Sequence, residues 1–147
     1  MLQRVNFKVE ISAEKSKVWE VLWGAETYPK WTKVFSEDSQ VKTDWQEGSK
    51  ALFVNGEGSG MVSRIYKRVT NEFMGIEHLG MLEKGIELPP DEKTKDWLGA
   101  KEDYTLTKVN GLTTLEVGLD TAEEYQLYFE KTFVEALQIV KELSENS

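Results

Sequence analysis

The chain has no cysteine and a single histidine, His78, among 147 residues. The first absence removes disulfides, thiolate nucleophiles and thiolate metal sites together. The second leaves no two-histidine acid–base pair and no histidine-based metal cluster, so any catalytic triad would need His78 as its base. Neither a metal nor a cofactor is expected. Apolar runs never exceed four residues, far short of the roughly 20 needed to span a bilayer, so no membrane insertion is expected. Met1-Leu2-Gln3-Arg4-Val5-Asn6 also lacks the apolar h-region of a secretory signal. The absence of cysteine fits a reducing compartment, and the expectation is a cytoplasmic protein. Basic residues are the minority, 18 Lys and Arg against 26 Asp and Glu for a formal charge of −8, and they form no local patch, so nucleic acid is not an expected partner. What is present is 39% apolar and 30% charged, the balance of a single globular domain over residues 1–147.

Val5, Phe7, Val9 and Ile11 alternate with Asn6, Lys8 and Glu10, a period of two that predicts a first strand with one buried face. Ser12 then stands where an N-cap belongs, with Glu14 in the first turn. Val18, Trp19, Val21, Leu22 and Trp23 follow at helical spacing until Gly24, which predicts a helix over about 13–23. Tyr28-Pro29-Lys30-Trp31 predicts a second short helix, with Tyr28 held extended by the proline that follows it. Strand-like alternation continues to about Leu119, with turns at Gly48, at Asn55-Gly56-Glu57-Gly58 and at Asn110-Gly111.

A two-residue loop at Asn110-Gly111 would pair Val109 with Leu112, Leu106 with Leu115 and Tyr104 with Val117, while Thr105 meets Glu116 and Thr107 meets Thr114. Apolar residues then share one face. A second hairpin, residues 60–67 against 73–82, predicts Ile65 opposite Met74, Ser63 opposite Ile76 and Met61 opposite His78. Residues 83–99, with Pro89-Pro90, read as a loop with at most one helical turn. After Leu119, Asp120 and Thr121 are both candidate N-caps ahead of Glu123 and Glu124. Tyr125, Phe129, Thr132, Phe133, Ala136, Leu137, Val140 and Leu143 then form one apolar stripe of a long helix ending near Leu143. The order is one strand, two short helices, about six antiparallel strands and a long amphipathic helix.

Three segments resemble the START-like SRPBCC superfamily, in the branch named after the activator of heat-shock-protein-90 ATPase. They are Phe7–Ala13 through Val18–Leu22 with Pro29-Lys30-Trp31; Gly60–Ser63 with Asn71-Glu72-Phe73 and Glu77-His78-Leu79-Gly80; and Trp97-Leu98-Gly99-Ala100 with Tyr104-Thr105-Leu106 and the terminal helix. The resemblance implies an α+β helix-grip fold, a curved antiparallel sheet wrapped around the C-terminal helix, with two short helices after the first strand. It spans lipid carriers, receptors and cyclases, so it carries fold and no catalytic motif.

Gly56, Gly58 and Gly60 are not followed by a helix and read as a hairpin turn rather than a dinucleotide fingerprint, and Glu47-Gly48-Ser49-Lys50 lacks the upstream glycine of a phosphate-binding loop. Glu77 and His78 are sequence neighbours on a strand and so point to opposite faces. The acidic runs Asp91-Glu92, Glu102-Asp103 and Glu123-Glu124 read as solvated faces and helix ends. A long helix over a twisted sheet leaves its widest gap where the sheet curves away. Trp31, Ile65, Met74, Ile76, His78, Tyr104, Phe129 and Phe133 are the expected lining of that gap, with His78 and Tyr104 as its polar handles. The expected function is binding of a small apolar or amphipathic molecule there, with no catalytic residue assigned. The alternatives are a cyclase- or hydrolase-like enzyme acting on an apolar small molecule, and a protein-interaction module in contact with a chaperone.

Overall fold

The computed structural model describes residues 2–89 and 98–146. Strand β1 (Leu2–Ile11) is followed by helices α1 (Lys15–Trp23) and α2 (Tyr28–Thr32). Strands β2 (Gln40–Lys42), β3 (Lys50–Val54), β4 (Gly60–Val69), β5 (Phe73–Glu83), β6 (Ile86–Glu87), β7 (Lys101–Val109) and β8 (Leu112–Ala122) follow, and after a 3-10 turn at Glu123–Tyr125 comes helix α3 (Gln126–Glu145). The strands form one antiparallel sheet in the order β1-β8-β7-β5-β4-β3-β2, with β6 added to β5. Among the described residues no helix is long and apolar enough to cross a membrane.

The β7–β8 hairpin has the register that its sequence predicts, from Val109 opposite Leu112 through Leu106 opposite Leu115 to Tyr104 opposite Val117. Asn110 and Gly111 both take positive φ, 51° and 83°, the two left-handed positions that a type I′ turn demands. The β4–β5 hairpin departs from expectation. Ser63 faces His78 instead of Ile76, Ile65 faces Ile76 instead of Met74, and Met61 faces Met81 instead of His78. Tyr66 on β4 and Leu79 on β5 have no opposite number, so each is an extra residue that shifts the ladder and bends the strand. Because the shift at Ser63 and Ile65 is by two residues, their side chains keep the inward face on which the pattern placed them.

Helix starts also differ from the sequence pattern. Glu14, not Ser12, occupies the α1 N-cap position, its carbonyl accepting from the backbone of Lys17 and Val18. Ser12 instead donates its backbone N–H to Glu145 at the far end of α3, 2.8 Å away. Tyr28 is the first residue of α2 rather than an extended one, with Pro29 in the first turn, where its missing N–H leaves no intrahelical bond unmade. Asp120 and Thr121 are not caps. They remain in β8, opposite Arg4 and Gln3, because β1 is long enough to supply ladder partners there and Asp120 takes Arg4 as an ion pair. Within the segment expected to be a loop, Ile86–Glu87 pairs with β5; residues 90–97 lie outside the described part.

Helix α3, 20 residues and so about 30 Å long, buries Thr132, Phe133, Ala136, Leu137, Val140 and Ser144. Tyr125, expected on this stripe, precedes the helix and is 53% exposed. The helix packs mainly on β1, α1 and α2. Its buried face therefore covers the β1 side of the sheet, and the part of the inner surface of β3, β4 and β5 that α1 does not reach is left without a helix over it.

Candidate functional site

Over that uncovered surface lies a cavity of about 550 Å³. Its apolar wall is built by Trp31 from α2, Phe53 from β3, Ile76 from β5, Leu119 from β8, and Phe129 and Phe133 from α3, with Phe35 beside them. Trp31 is fixed by its indole N–H, which donates to Leu22 O at 3.0 Å. Phe133 stacks on Phe7 with ring centroids 5.0 Å apart and meets Phe35 edge-on at 5.0 Å. The lining grades from Trp31, 2% exposed, to Tyr125 and Tyr128, 53% and 48% exposed. The cavity thus opens to solvent at the N-terminal end of α3.

Six of the eight sequence-predicted site residues border this cavity: Trp31, Ile76, His78, Tyr104, Phe129 and Phe133. Ile65 and Met74 do not. Both are completely buried in the packed core, because α1 closes that part of the sheet. Trp23 sits edge-on to Tyr104, 4.9 Å between centroids, and Tyr104 is the strand partner of Met74.

One end of the cavity is polar. His78 Nε2 lies 3.2 Å from Glu102 Oε1, His78 Nδ1 lies 2.7 Å from Ser63 Oγ, and the Tyr104 hydroxyl donates to Glu102 Oε2. Glu102 is the site residue absent from the sequence-predicted lining, since the run Glu102-Asp103 reads as a solvated pair. Only Asp103 belongs to the outer face, bound there by Arg4 and Tyr66. The missed signal is parity. Ala100, Glu102, Tyr104 and Leu106 alternate along one face, and Tyr104 and Leu106 were already on its buried side. His78 and Glu77 do face opposite ways, Glu77 pairing with Arg64 outside.

Burial, followed by the Glu102 carboxylate, pushes the Tyr104 phenol well above its ordinary value. Tyr28 is raised for the same two reasons. Both remain hydrogen-bond donors across the physiological range. The Ser63–His78–Glu102 chain contains the groups of a nucleophile triad, yet Ser63 is completely buried behind the imidazole. Of these three groups the imidazole and the carboxylate border the cavity, and the serine hydroxyl does not. Among the described residues no three His, Asp or Glu side chains are placed to hold a metal ion.

No protein-family model matches the sequence, and no curated protein does. Solved structures do match. The Aha1 dimer of Colwellia psychrerythraea superposes with a TM-score of 0.75 at 17% identity, over 98% of this chain and 97% of that one. Protein MLL2253 of Mesorhizobium loti gives 0.73 at 12% identity over 96% of each chain. CalU16 of Micromonospora echinospora gives 0.68 at 15% identity over 99% of this chain and 78% of that one. The chain shares their fold. The helix-grip architecture implied by the sequence resemblance is therefore the architecture present. Identities this low extend the likeness to fold alone.

Proposed function

We propose that the protein binds a small apolar or amphipathic molecule in the cavity between its sheet and α3. The supporting observation is the cavity itself, about 550 Å³, within the range of small-molecule sites and lined as such sites are, by aromatic and aliphatic walls with a few converging polar groups. Trp31, Ile76, Phe129 and Phe133 form the apolar body of the site, and His78, Glu102 and Tyr104 its polar end. The superfamily that the sequence resembles includes lipid carriers, which supports the same reading.

A neutral fluorescent apolar probe, N-phenyl-1-naphthylamine, tests the reading. It should bind with one-to-one stoichiometry and quench tryptophan emission. Phe129→Trp, which occupies space without removing apolar surface, should weaken it at least about tenfold, roughly 1.4 kcal/mol. Absence of saturable binding to the folded protein would refute the proposal.

A second reading, a protein-interaction module, is favoured by the outer side of α3, where Leu127 and Val134 are 79% and 63% exposed. Under it, a chaperone would bind equally well to wild type and to Phe129→Trp.

A further inference from the structure

We propose that the cavity selects ligands whose polar end donates hydrogen bonds, amine cations foremost, and disfavours carboxylates. This rests on the ligand-binding reading above and specifies the chemistry of the ligand's polar end.

The groups around Glu102 are arranged as donors. Tyr104 donates its hydroxyl to Oε2. With the Ser63 hydroxyl donating to Nδ1 of His78, the ring proton sits on Nε2 and points to Oε1, 3.2 Å away. A protonated Glu102 would bring a donor of its own into this cluster, whereas a carboxylate satisfies both neighbours and retains lone pairs, since its two oxygens accept about four hydrogen bonds. The carboxylate also lacks a permanent cation. No lysine or arginine lines the cavity among the described residues, and the basic side chain in contact with Glu102 is His78, which carries charge only when doubly protonated. Asp120, the other acid on the wall, is already engaged by Arg4 and by the Lys101 backbone N–H.

Aromatic rings complete the setting. Tyr28 lies 5.5 Å from Trp31, and Trp31 lies 6.2 Å from Tyr104, centroid to centroid. Aromatic faces attract a cation, more strongly when it is desolvated. A carboxylate ligand would instead place a second negative charge beside Glu102, which disfavours the charged form of both.

The test compares n-decylamine, n-decanol and n-decanoate, each below its micellar concentration, as competitors of N-phenyl-1-naphthylamine. The expected order of affinity is amine, alcohol, carboxylate, with the amine about tenfold or more tighter than the carboxylate, the scale of a charge-assisted hydrogen bond. Glu102→Gln should bring the amine to within about threefold of the alcohol. Glu116→Gln, which removes the same charge from the exposed outer face, should leave the amine preference intact. Decanoate binding as tightly as decylamine to the wild type would overturn the inference without any variant. So would an amine preference that survives Glu102→Gln, or one that Glu116→Gln abolishes equally, which would trace it to the overall charge of −8. Should Glu102→Gln fail to fold, Glu102→Asp serves instead: the shortened carboxylate should reduce the amine preference, and an unchanged preference would count against the inference. Binding of the probe and the alcohol with no headgroup preference overturns this inference alone. Failure of all four compounds to bind overturns the ligand-binding reading with it.

Discussion

His78 and Glu102 meet across β5 and β7, Nε2 to Oε1 at 3.2 Å, while the opposite ring nitrogen takes Ser63 at 2.7 Å. The imidazole is gripped from both sides, and its neutral form has one tautomer that satisfies both partners, with the proton on Nε2. Long-range proton–nitrogen correlation spectra should show Nδ1 as the bare nitrogen. Ser63→Ala should cost about 1–3 kcal/mol in chemical denaturation, because a buried acceptor loses its donor. A proton found on Nδ1 would contradict the arrangement.

Phe133 is 3% exposed and packed on Phe7 and Phe35, but one edge borders the cavity. Phe133→Ala should therefore destabilise by about 3 kcal/mol, near the low end for a buried ring, since part of its surface has no partner atoms to lose. Urea unfolding measures this. A loss below about 0.5 kcal/mol would mean that the ring packs against nothing.

Tyr28 and Tyr104 make stability depend on alkaline pH. In the unfolded chain each phenol titrates near its ordinary value of 10.0; in the folded protein burial and Glu102 raise both. Above the unfolded value the unfolded state has released protons that the native state still holds, so unfolding becomes easier as pH rises. Their contribution is complete below pH 10.0 and is lost from there upward through the folded values. Denaturation midpoints should fall on going above pH 10 in wild type, and fall less in Tyr28→Phe. Equal slopes would place Tyr28 in solvent.

Gly111 has φ of 83° with nothing within 4 Å of where a Cβ would stand. Gly111→Ala thus isolates backbone strain from steric clash and should cost about 1–2 kcal/mol, with the cavity and its probe affinity unchanged. Thermal unfolding together with the binding assay separates the two effects.

Each feature is legible in the sequence to the extent that its determinant is local. The Asn110-Gly111 hairpin was legible to the residue, because two left-handed positions between alternating strands leave one register. The β4–β5 pairing was not, since the inserted Tyr66 and Leu79 interrupt the ladder, and the glycines beside them, Gly75 opposite Lys67 and Gly80 opposite Val62, do not by themselves say which residue is the extra one. Asp120 and Thr121 carry a good capping pattern, and it lost to ladder bonds from β1, more than a hundred residues away in sequence. At the site, parity was sufficient for Tyr104 and would have been for Glu102. The coverage of Ile65 and Met74 by α1 depends on where a helix lands, which no residue spacing encodes.

The pairing of β1 with β8 also sets a clock for the nascent chain. Ile11 has Thr113 as its partner and Leu2 has Ala122, so the first strand emerges from the ribosome about a hundred residues before anything it can zip to. At about 5–20 residues per second that interval is roughly 5–20 s. Throughout it, a strand bearing Val5, Phe7, Val9 and Ile11 offers an open edge to any other chain nearby. Charged Lys8 and Glu10 on its outer side are the gatekeepers it carries through that wait.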